Sequence, residues 1–276
     1  MNRFQAEYSR KLTTAEDALS CVKSGDTVTY SFCAMEPMET LSKLHTLHGK
    51  VKDIDVFTAL TIGKYPFMQD PKYRDTFTVD SPFYMAPERE AAKQGITSFV
   101  PAHLHNFASR RYGDRPANVV ILGVTPMDEH GFFRCSLSAI HERECLDSGA
   151  TVIVEVNPNY PVVNGETEVH ISRVSRIVET SRPIPLLPRK EVNELDKLIG
   201  EHIAGLINDG DTIQLGIGGI PDAVANALMG KHDLGVHTEM ITSGLVDLVE
   251  AGVINGSKKT LHPGKLIGTF SSLTPP

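Results

Sequence analysis

Tryptophan is absent from the 276 residues, cysteine occurs only four times, and no apolar run approaches the length of a membrane span. Each scarcity excludes something. A transmembrane helix needs about 20 consecutive apolar residues, and the N-terminal stretch Met1–Tyr8 has no apolar signal core. A cytoplasmic protein without a membrane partner is therefore expected. Cys21, Cys33, Cys135 and Cys145 form no C-x-x-C pair, so neither a zinc ribbon nor a thioredoxin-type site is expected, and the thiols read as free and buried. Positive charge is also short. The balance is 27 − 34 = −7, which argues against nucleic acid or an anionic membrane surface as a general partner. There is no P-loop and no G-x-S-x-G elbow.

What the chain does have is an alternation of strand and helix patterns, the signature of an α/β fold. Thr14-Ala-Glu-Asp17 fits a capping box ahead of a helix. Thr27–Phe32 is β-prone, and Pro37 would open a helix carrying Leu41, Leu44 and Leu47. Ile54–Leu60, Val119–Val124 and Thr151–Val156 read as buried strands, Val119–Val124 as a central parallel one. Thr97–Val100 and Phe132–Leu137 read as further strands, and Arg176–Glu179 as an edge pairing. Residues 63–95 read as irregular, because Pro66, Pro71, Pro82 and Pro87 discourage long helices. Ile140–Ser148 reads as helical.

Ser181-Arg-Pro-Ile-Pro-Leu-Leu-Pro188 cannot continue a helix or a central strand and is the expected linker. After it comes a helix over Glu191–Asn208, with Val192, Leu195, Ile199, Ile203 and Leu206 at helical spacing. The strand Thr212–Leu215, a helix from Pro221, the strand Gly235–Met240 and the helix Leu245–Ala251 follow. Gly25-Asp-Thr-Val28 recurs as Gly210-Asp-Thr-Ile213. Each copy follows a helix and leads through a strand to a proline-opened helix, 37 − 25 = 12 and 221 − 210 = 11 residues on. Two related α/β domains are expected, over residues 1–185 and 186–276. The competing reading is that Gly-Asp-Thr is a common strand-entry turn.

The chemistry concentrates in the second of these. Gly216-Ile-Gly-Gly-Ile-Pro221 leaves a strand and opens a helix, where glycines admit a ligand to the backbone and the helix N-terminus favours anionic groups. Glu239 ends the next strand, and open α/β sheets bind ligands at the carboxyl ends of their strands. A dinucleotide fingerprint would need glycine where Pro221 stands, although Glu239 lies 239 − 216 = 23 residues on, close to its usual acidic partner. A tight strand-to-helix turn without a ligand is the bland alternative. His237-Thr-Glu239 has the H-x-E of zinc deaminases, but no P-C-x-x-C accompanies it. His141 and Cys145, four residues apart, read as a surface histidine beside a buried thiol. His103 with His105, and His45 with His48, are no better as metal ligands. No metal is expected.

The succession Gly216-Ile-Gly-Gly-Ile-Pro-Asp222, Gly235-Val-His-Thr-Glu-Met240 and Gly244-Leu-Val-Asp-Leu-Val-Glu-Ala-Gly-Val-Ile254 resembles the acetyl-CoA hydrolase/transferase family. Its 4-hydroxybutyrate and butyryl-CoA:acetate CoA-transferases are the nearest in kind. Val124–Gly131, Val154–Asn157 and Glu179–Pro185 support the likeness. It implies two related open α/β domains of the CoA-transferase type, the second incomplete because family members are longer. It implies Glu239 as covalent nucleophile, and Gly216, Ile217, Gly218, Gly219 and Ile220 as the coenzyme A-binding segment. Coenzyme A is then a substrate, with no separate cofactor. The implied activity moves CoA between an acyl-CoA and a short-chain carboxylate such as acetate, butyrate or 4-hydroxybutyrate. The implied intermediate is a glutamyl-CoA thioester, and the implied assembly is a homo-oligomer. Hydrolysis of the acyl-CoA, or a truncated chain that is inactive or depends on a partner, are the alternatives.

Overall fold

A computed structural model describes residues 3–186 and 189–271. The chain divides into two compact units, Met1–Ile184 and Pro185–Pro276. Residues 187 and 188 of the expected linker, and residues 272–276, lie outside the described residues.

The first unit is built on seven parallel strands: β1 (Thr27–Tyr30), β2 (Ile54–Phe57), β3 (Phe77–Ser81), β4 (Thr97–Phe99), β5 (Val119–Val124), β7 (Thr151–Val156) and β9 (Val174–Glu179). Two further strands, β6 (Phe132–Arg134) and β8 (Glu168–His170), form a separate antiparallel pair. The order in the large sheet is β4-β3-β2-β1-β5-β7-β9. The chain thus builds outward from β1 in one direction, then restarts at β5 and builds in the other. The reversal lies between β1 and β5. All six residues of β5 and all four of β1 are buried, as strands covered on both faces must be. With no tryptophan available, phenylalanine and tyrosine supply the bulk. Tyr30, Phe32, Phe57, Phe67, Phe77 and Phe133 are all fully buried, each stabilising the fold by roughly 2–3 kcal/mol through apolar burial.

Local chemistry sets the element ends. The Thr14 hydroxyl accepts the Asp17 N–H at 3.2 Å and starts the helix Ala15–Leu19. The Pro37 helix is real but short, Met38–Lys43, and tightens into a 3₁₀ turn over Leu44–Leu47. The expectation of an irregular 63–95 is wrong. That stretch holds β3 and the helices Pro66–Gln69 and Ala86–Lys93. Pro66 and Pro87 fall in first turns, where a missing N–H costs nothing. The helix read over Ile140–Ser148 is confined to Glu142–Asp147.

The second unit opens with the helix Glu194–Ala204, shorter than the expected Glu191–Asn208. Asn193 and Asp196 form its capping box and fix the start. Then come β10 (Thr212–Ile213), the helix Gly219–Ala227, β11 (Gly235–Ile241), the helix Ser243–Glu250 and β12 (Ile267–Ser271). The three strands are parallel, in the order β10-β11-β12. Leu228, Leu234, Val236, Leu245 and Leu248 are fully buried at its centre.

Candidate functional site

Glu239 sits in β11, whose residues alternate between faces. Val236, Thr238 and Met240 are buried, while His237 and Glu239 are exposed. Period-two alternation of this kind follows from strand geometry. Among the described residues the Glu239 carboxylate has no hydrogen bond or ion pair, so both oxygens are available to a ligand. On the same face, the rings of His237 and His262 lie 6.4 Å apart, centre to centre.

The glycine turn is attached beside this carboxylate by one side chain. The β10 ladder ends where Ile213 pairs with Val236. Two residues further along both chains, the buried Thr238 hydroxyl takes over. It accepts the Leu215 N–H at 3.3 Å and donates to the Leu215 carbonyl at 3.1 Å. The next residues are Gly216 and Glu239. The structure therefore brings the sequence-derived turn and carboxylate together on neighbouring parallel strands. β11 runs two residues past Glu239, rather than ending at it as expected from the sequence, and ligands of open α/β sheets bind near this end.

Within the turn, Gly218 has φ +121° and ψ −179°, a conformation essentially confined to glycine. A Cβ on Gly219 would come within 2.6 Å of the Asp196 carboxylate. The helix begins at Gly219 rather than at Pro221 as read from the sequence, and no side chain caps it. Its leading N–H groups are donors suited to an anionic group. Ile217 and Ile220 flank the turn and are 55% and 40% exposed. Behind it lies a cavity of about 340 Å³ walled by Ile203, Ile207, Ile213, Leu215, Ile220 and Val224. The turn thus offers backbone donors next to apolar contact surface.

The histidines do other work. His141 is buried, against the expectation of a surface position. Its ring stacks on Phe32 at 4.0 Å, Nε2 donates to the Tyr30 carbonyl at 3.0 Å, and Nδ1 faces the Tyr112 hydroxyl at 2.7 Å. Cys145 is buried beside it, and burial pushes its thiol well up. Among the described residues no group of three or more His, Cys, Asp and Glu is placed to hold a metal ion.

Sequence reasoning missed two buried carboxylates in the first unit. Glu155, in the apolar strand β7, accepts the N–H groups of Glu39 and Thr40 and the Thr40 hydroxyl. Glu36 accepts the N–H groups of Ile62 and Gly63 and the Tyr65 hydroxyl. Burial pushes the Glu36 carboxyl up to about 7 against the pull of these three donors. The available signal was a lone acidic residue in each of two otherwise largely apolar segments, Glu36 in Phe32–Met38 and Glu155 in Thr151–Val156.

Known proteins share this architecture. A family model described as the acetyl-CoA hydrolase/transferase N-terminal domain matches residues 1–188. Succinyl-CoA:cyclohexane-1-carboxylate CoA transferase of Geobacter metallireducens is 34% identical over 97% of the chain and 61% of its own length. 4-hydroxybutyrate coenzyme A transferase of Clostridium kluyveri is 35% identical over 95% of the chain and 61% of its own length. The crystal structure of RipA from Yersinia pestis superimposes with a TM-score of 0.93 at 30% identity, covering 99% of the chain and 66% of that protein. The chain thus spans about three fifths of the curated relatives it matches.

Proposed function

Because the chain belongs to the acetyl-CoA hydrolase/transferase family, we propose that it carries the nucleophile and part of the coenzyme A site of a CoA-transferase acting on short-chain carboxylates. The observation that carries this reading is the pair of Thr238–Leu215 hydrogen bonds, which hold the strand end leading into the glycine turn next to the strand that carries the exposed Glu239. The names of the relatives, all CoA transferases of organic acids, support the substrate class.

The chemistry follows from what a carboxylate can do. A Glu239 oxygen attacks the thioester carbonyl of an acyl-CoA, and the C–S bond breaks to release the CoA thiolate. A mixed anhydride between the acyl group and Glu239 remains. The thiolate then attacks the glutamyl carbonyl, expels the acyl group as a free carboxylate and leaves a glutamyl-CoA thioester. An acceptor carboxylate runs the two steps in reverse and leaves with the CoA. No proton moves in any step, so the nucleophile needs no neighbouring base. Each attack creates an oxyanion, and the N–H groups of Gly218–Ile220 are the available donors for it. These groups lie three to five residues beyond Leu215, the partner of Thr238, on a turn in which Gly218 has φ +121°.

Mass spectrometry of protein incubated with acetyl-CoA, butyryl-CoA or 4-hydroxybutyryl-CoA tests the reading. The expected result is a CoA adduct on the peptide containing Glu239 that disappears when excess acetate is added and is absent from Glu239→Gln. An adduct that survives the substitution would sink it. Release of free acid without an acceptor would identify hydrolysis instead.

A further inference from the structure

The Gly-Asp-Thr repeat carries its strand pairing with it. Thr27 of β1 pairs with Asp55 and Val28 with Val56; Thr212 of β10 pairs with Gly235 and Ile213 with Val236. Thr27 and Thr212 are each the second residue after the repeated glycine, so β10 corresponds to β1 and β11 to β2. On its other side β1 pairs with β5, also parallel, through Val28–Val119, Thr29–Val120 and Tyr30–Ile121. The Thr27 carbonyl accepts the Asn118 N–H at 2.9 Å, and the Ser31 N–H donates to the Ile121 carbonyl at 3.0 Å. β10 has no strand on that side among the described residues and is an edge of its sheet.

The same positions are covered in one unit and open in the other. Thr27, Thr29 and Ser31 are buried. Their counterparts Thr212, Gln214 and Gly216 are all exposed. The intervening residues face β11: the Asp211 carbonyl accepts the Gly235 N–H at 2.8 Å, and Leu215 bonds to Thr238. The N–H and C=O groups of Thr212, Gln214 and Gly216 therefore point to the open side. The cavity of about 340 Å³ lies along this edge, walled in part by Ile213, Gln214, Leu215 and Gly216 and in part by Ile203 and Ile207. Ile203 and Ile207 hold the places of Ala18 and Val22, which are buried, yet both are only half-buried. Leu198 and Leu206, on and just after the helix Glu194–Ala204, are exposed.

An unpaired edge beside an apolar groove is a template for one more strand. We propose that β10 takes a parallel apolar strand, in the place that β5 holds against β1, and that this strand belongs to the part of the CoA transferase relatives that the chain does not span. Two observations select that occupant. β12 pairs with β11 in parallel as β3 does with β2, and β5 comes two strands after β3 in the chain, so the counterpart of β5 belongs after β12 in chain order. The relatives have the length for it, since the chain spans 61% of each. The groove sets the character of the strand. Side chains facing Ile203, Ile207 and Ile213 must be apolar, as those of β5 are. The proposal draws nothing from the chemistry of Glu239.

Amide hydrogen exchange on the full chain reads this edge. The probe is the segment of Clostridium kluyveri 4-hydroxybutyrate coenzyme A transferase that the chain does not match, co-produced with it as a separate polypeptide. In the free chain the Gln214 and Gly216 amides should exchange near their intrinsic rates, while the Thr29 and Ser31 amides are protected. The probe should co-purify in a one-to-one complex and protect Gln214 and Gly216 by about tenfold or more. Gln214→Pro removes one N–H of the edge. Proline is tolerated on an edge strand and not on a central one, so this variant should keep the Tm of the free chain and lose the probe. Thr29→Pro, at the same place in a strand paired on both sides, should abolish protection throughout the first unit's sheet. Failure of the probe to join the chain, capture undiminished by Gln214→Pro, or edge amides already protected in the free monomer would each overturn the proposal. A free chain that dimerises and protects these amides only as its concentration rises would make a second copy the occupant, and would overturn it as well.

Discussion

Gly25 and Gly210 occupy the same place in two copies of one turn. Their φ angles are +84° and +85°. The Gly25 N–H donates to the Lys52 carbonyl and the Gly210 N–H to the His232 carbonyl, each at 3.0 Å. The residue after each glycine closes the turn with its side chain: Asp26 accepts the Lys23 N–H at 2.8 Å, and Asp211 the Asn208 N–H at 2.7 Å. The match continues up to the next strand, where Asp53 and Asp233, just ahead of β2 and β11, have φ +57° and +56°. Counting six residues on from each makes Ala59 of the first unit the counterpart in sequence of Glu239 in the second. The two units therefore share a scaffold and differ at the residue on which the proposed chemistry depends.

That equivalence has a measurable consequence. A Cβ added at Gly25 meets nothing within 4 Å, and one added at Gly210 meets the Lys258 Cγ at 3.3 Å. Backbone strain is the shared cost. Gly25→Ala and Gly210→Ala should each destabilise their own unit by about 1–2 kcal/mol, Gly210→Ala slightly more. Native-state hydrogen exchange can follow β1 and β11 amides separately and assign each loss. A neutral result at either position would break the equivalence.

His141 makes stability depend on pH in the first unit. Burial lowers its pKa from 6.5. The unfolded chain therefore takes up a proton below about 6.5 that the buried ring refuses, and the contribution of this group is full above that pH and is lost as the pH falls. The expected extra slope is up to about 1.4 kcal/mol per pH unit for one proton. Glu36 acts in the opposite sense. Its carboxyl is raised from 4.5 to about 7, so its contribution is full below 4.5 and is lost as the pH rises through about 7. Urea unfolding of His141→Gln and wild type at several pH values separates the two. The variant should be less stable at about pH 7.5, and its deficit should shrink toward about pH 5. A deficit independent of pH would show that His141 is not held neutral.

Much of this was legible beforehand, for physical reasons that differ by element. β5 stood out because a strand covered on both faces is apolar throughout, and β7 because Val152, Ile153, Val154 and Val156 make it nearly so. The glycine turn stood out because Gly218 needs a φ that few other residues adopt. The repeat was visible because the turn demands glycine and a following aspartate in both units. What escaped was set by contacts distant in sequence. Nothing near Glu36 announces that Ile62, Gly63 and Tyr65 will converge on it. The burial of His141 depends on Phe32, Tyr30 and Tyr112, up to 111 residues away. Proline was misread over residues 63–95, since spacing alone does not say that Pro66 and Pro87 fall in first turns.

The helix Glu194–Ala204 shows the same limit in its packing. The sequence period put Leu195 and Leu206 on one apolar face with Ile199 and Ile203. In the structure Leu195 is 66% exposed and Leu206, beyond the helix end, 80% exposed, whereas Ile203 packs on the core of the second unit. Leu195→Gln should change stability by no more than about 0.5 kcal/mol. Ile203→Asn should cost about 2 kcal/mol or more, because it places an amide against the apolar core of the second unit. Thermal unfolding of the two variants decides this, and a large loss from Leu195→Gln would restore the face read from the sequence.

Thr238 tests the link between the fold and the proposed chemistry. Its hydroxyl both accepts from and donates to Leu215, so one side chain satisfies two buried backbone groups and sets where the glycine turn leaves the sheet. Thr238→Val keeps the shape and the β-branch but removes both bonds. Leaving the Leu215 N–H and carbonyl unsatisfied should cost about 1–3 kcal/mol. The turn should also drift from Glu239, and CoA labelling should slow more than stability alone accounts for, since donors aimed at a developing oxyanion act only when correctly placed. Thr238→Ser keeps the hydroxyl and should restore most of the labelling rate while losing only the packing of one methyl group. The decisive comparison is the labelling rate of the two variants at a temperature where both remain folded. Equal rates would mean that the Thr238 hydroxyl stabilises the sheet and does nothing for the turn.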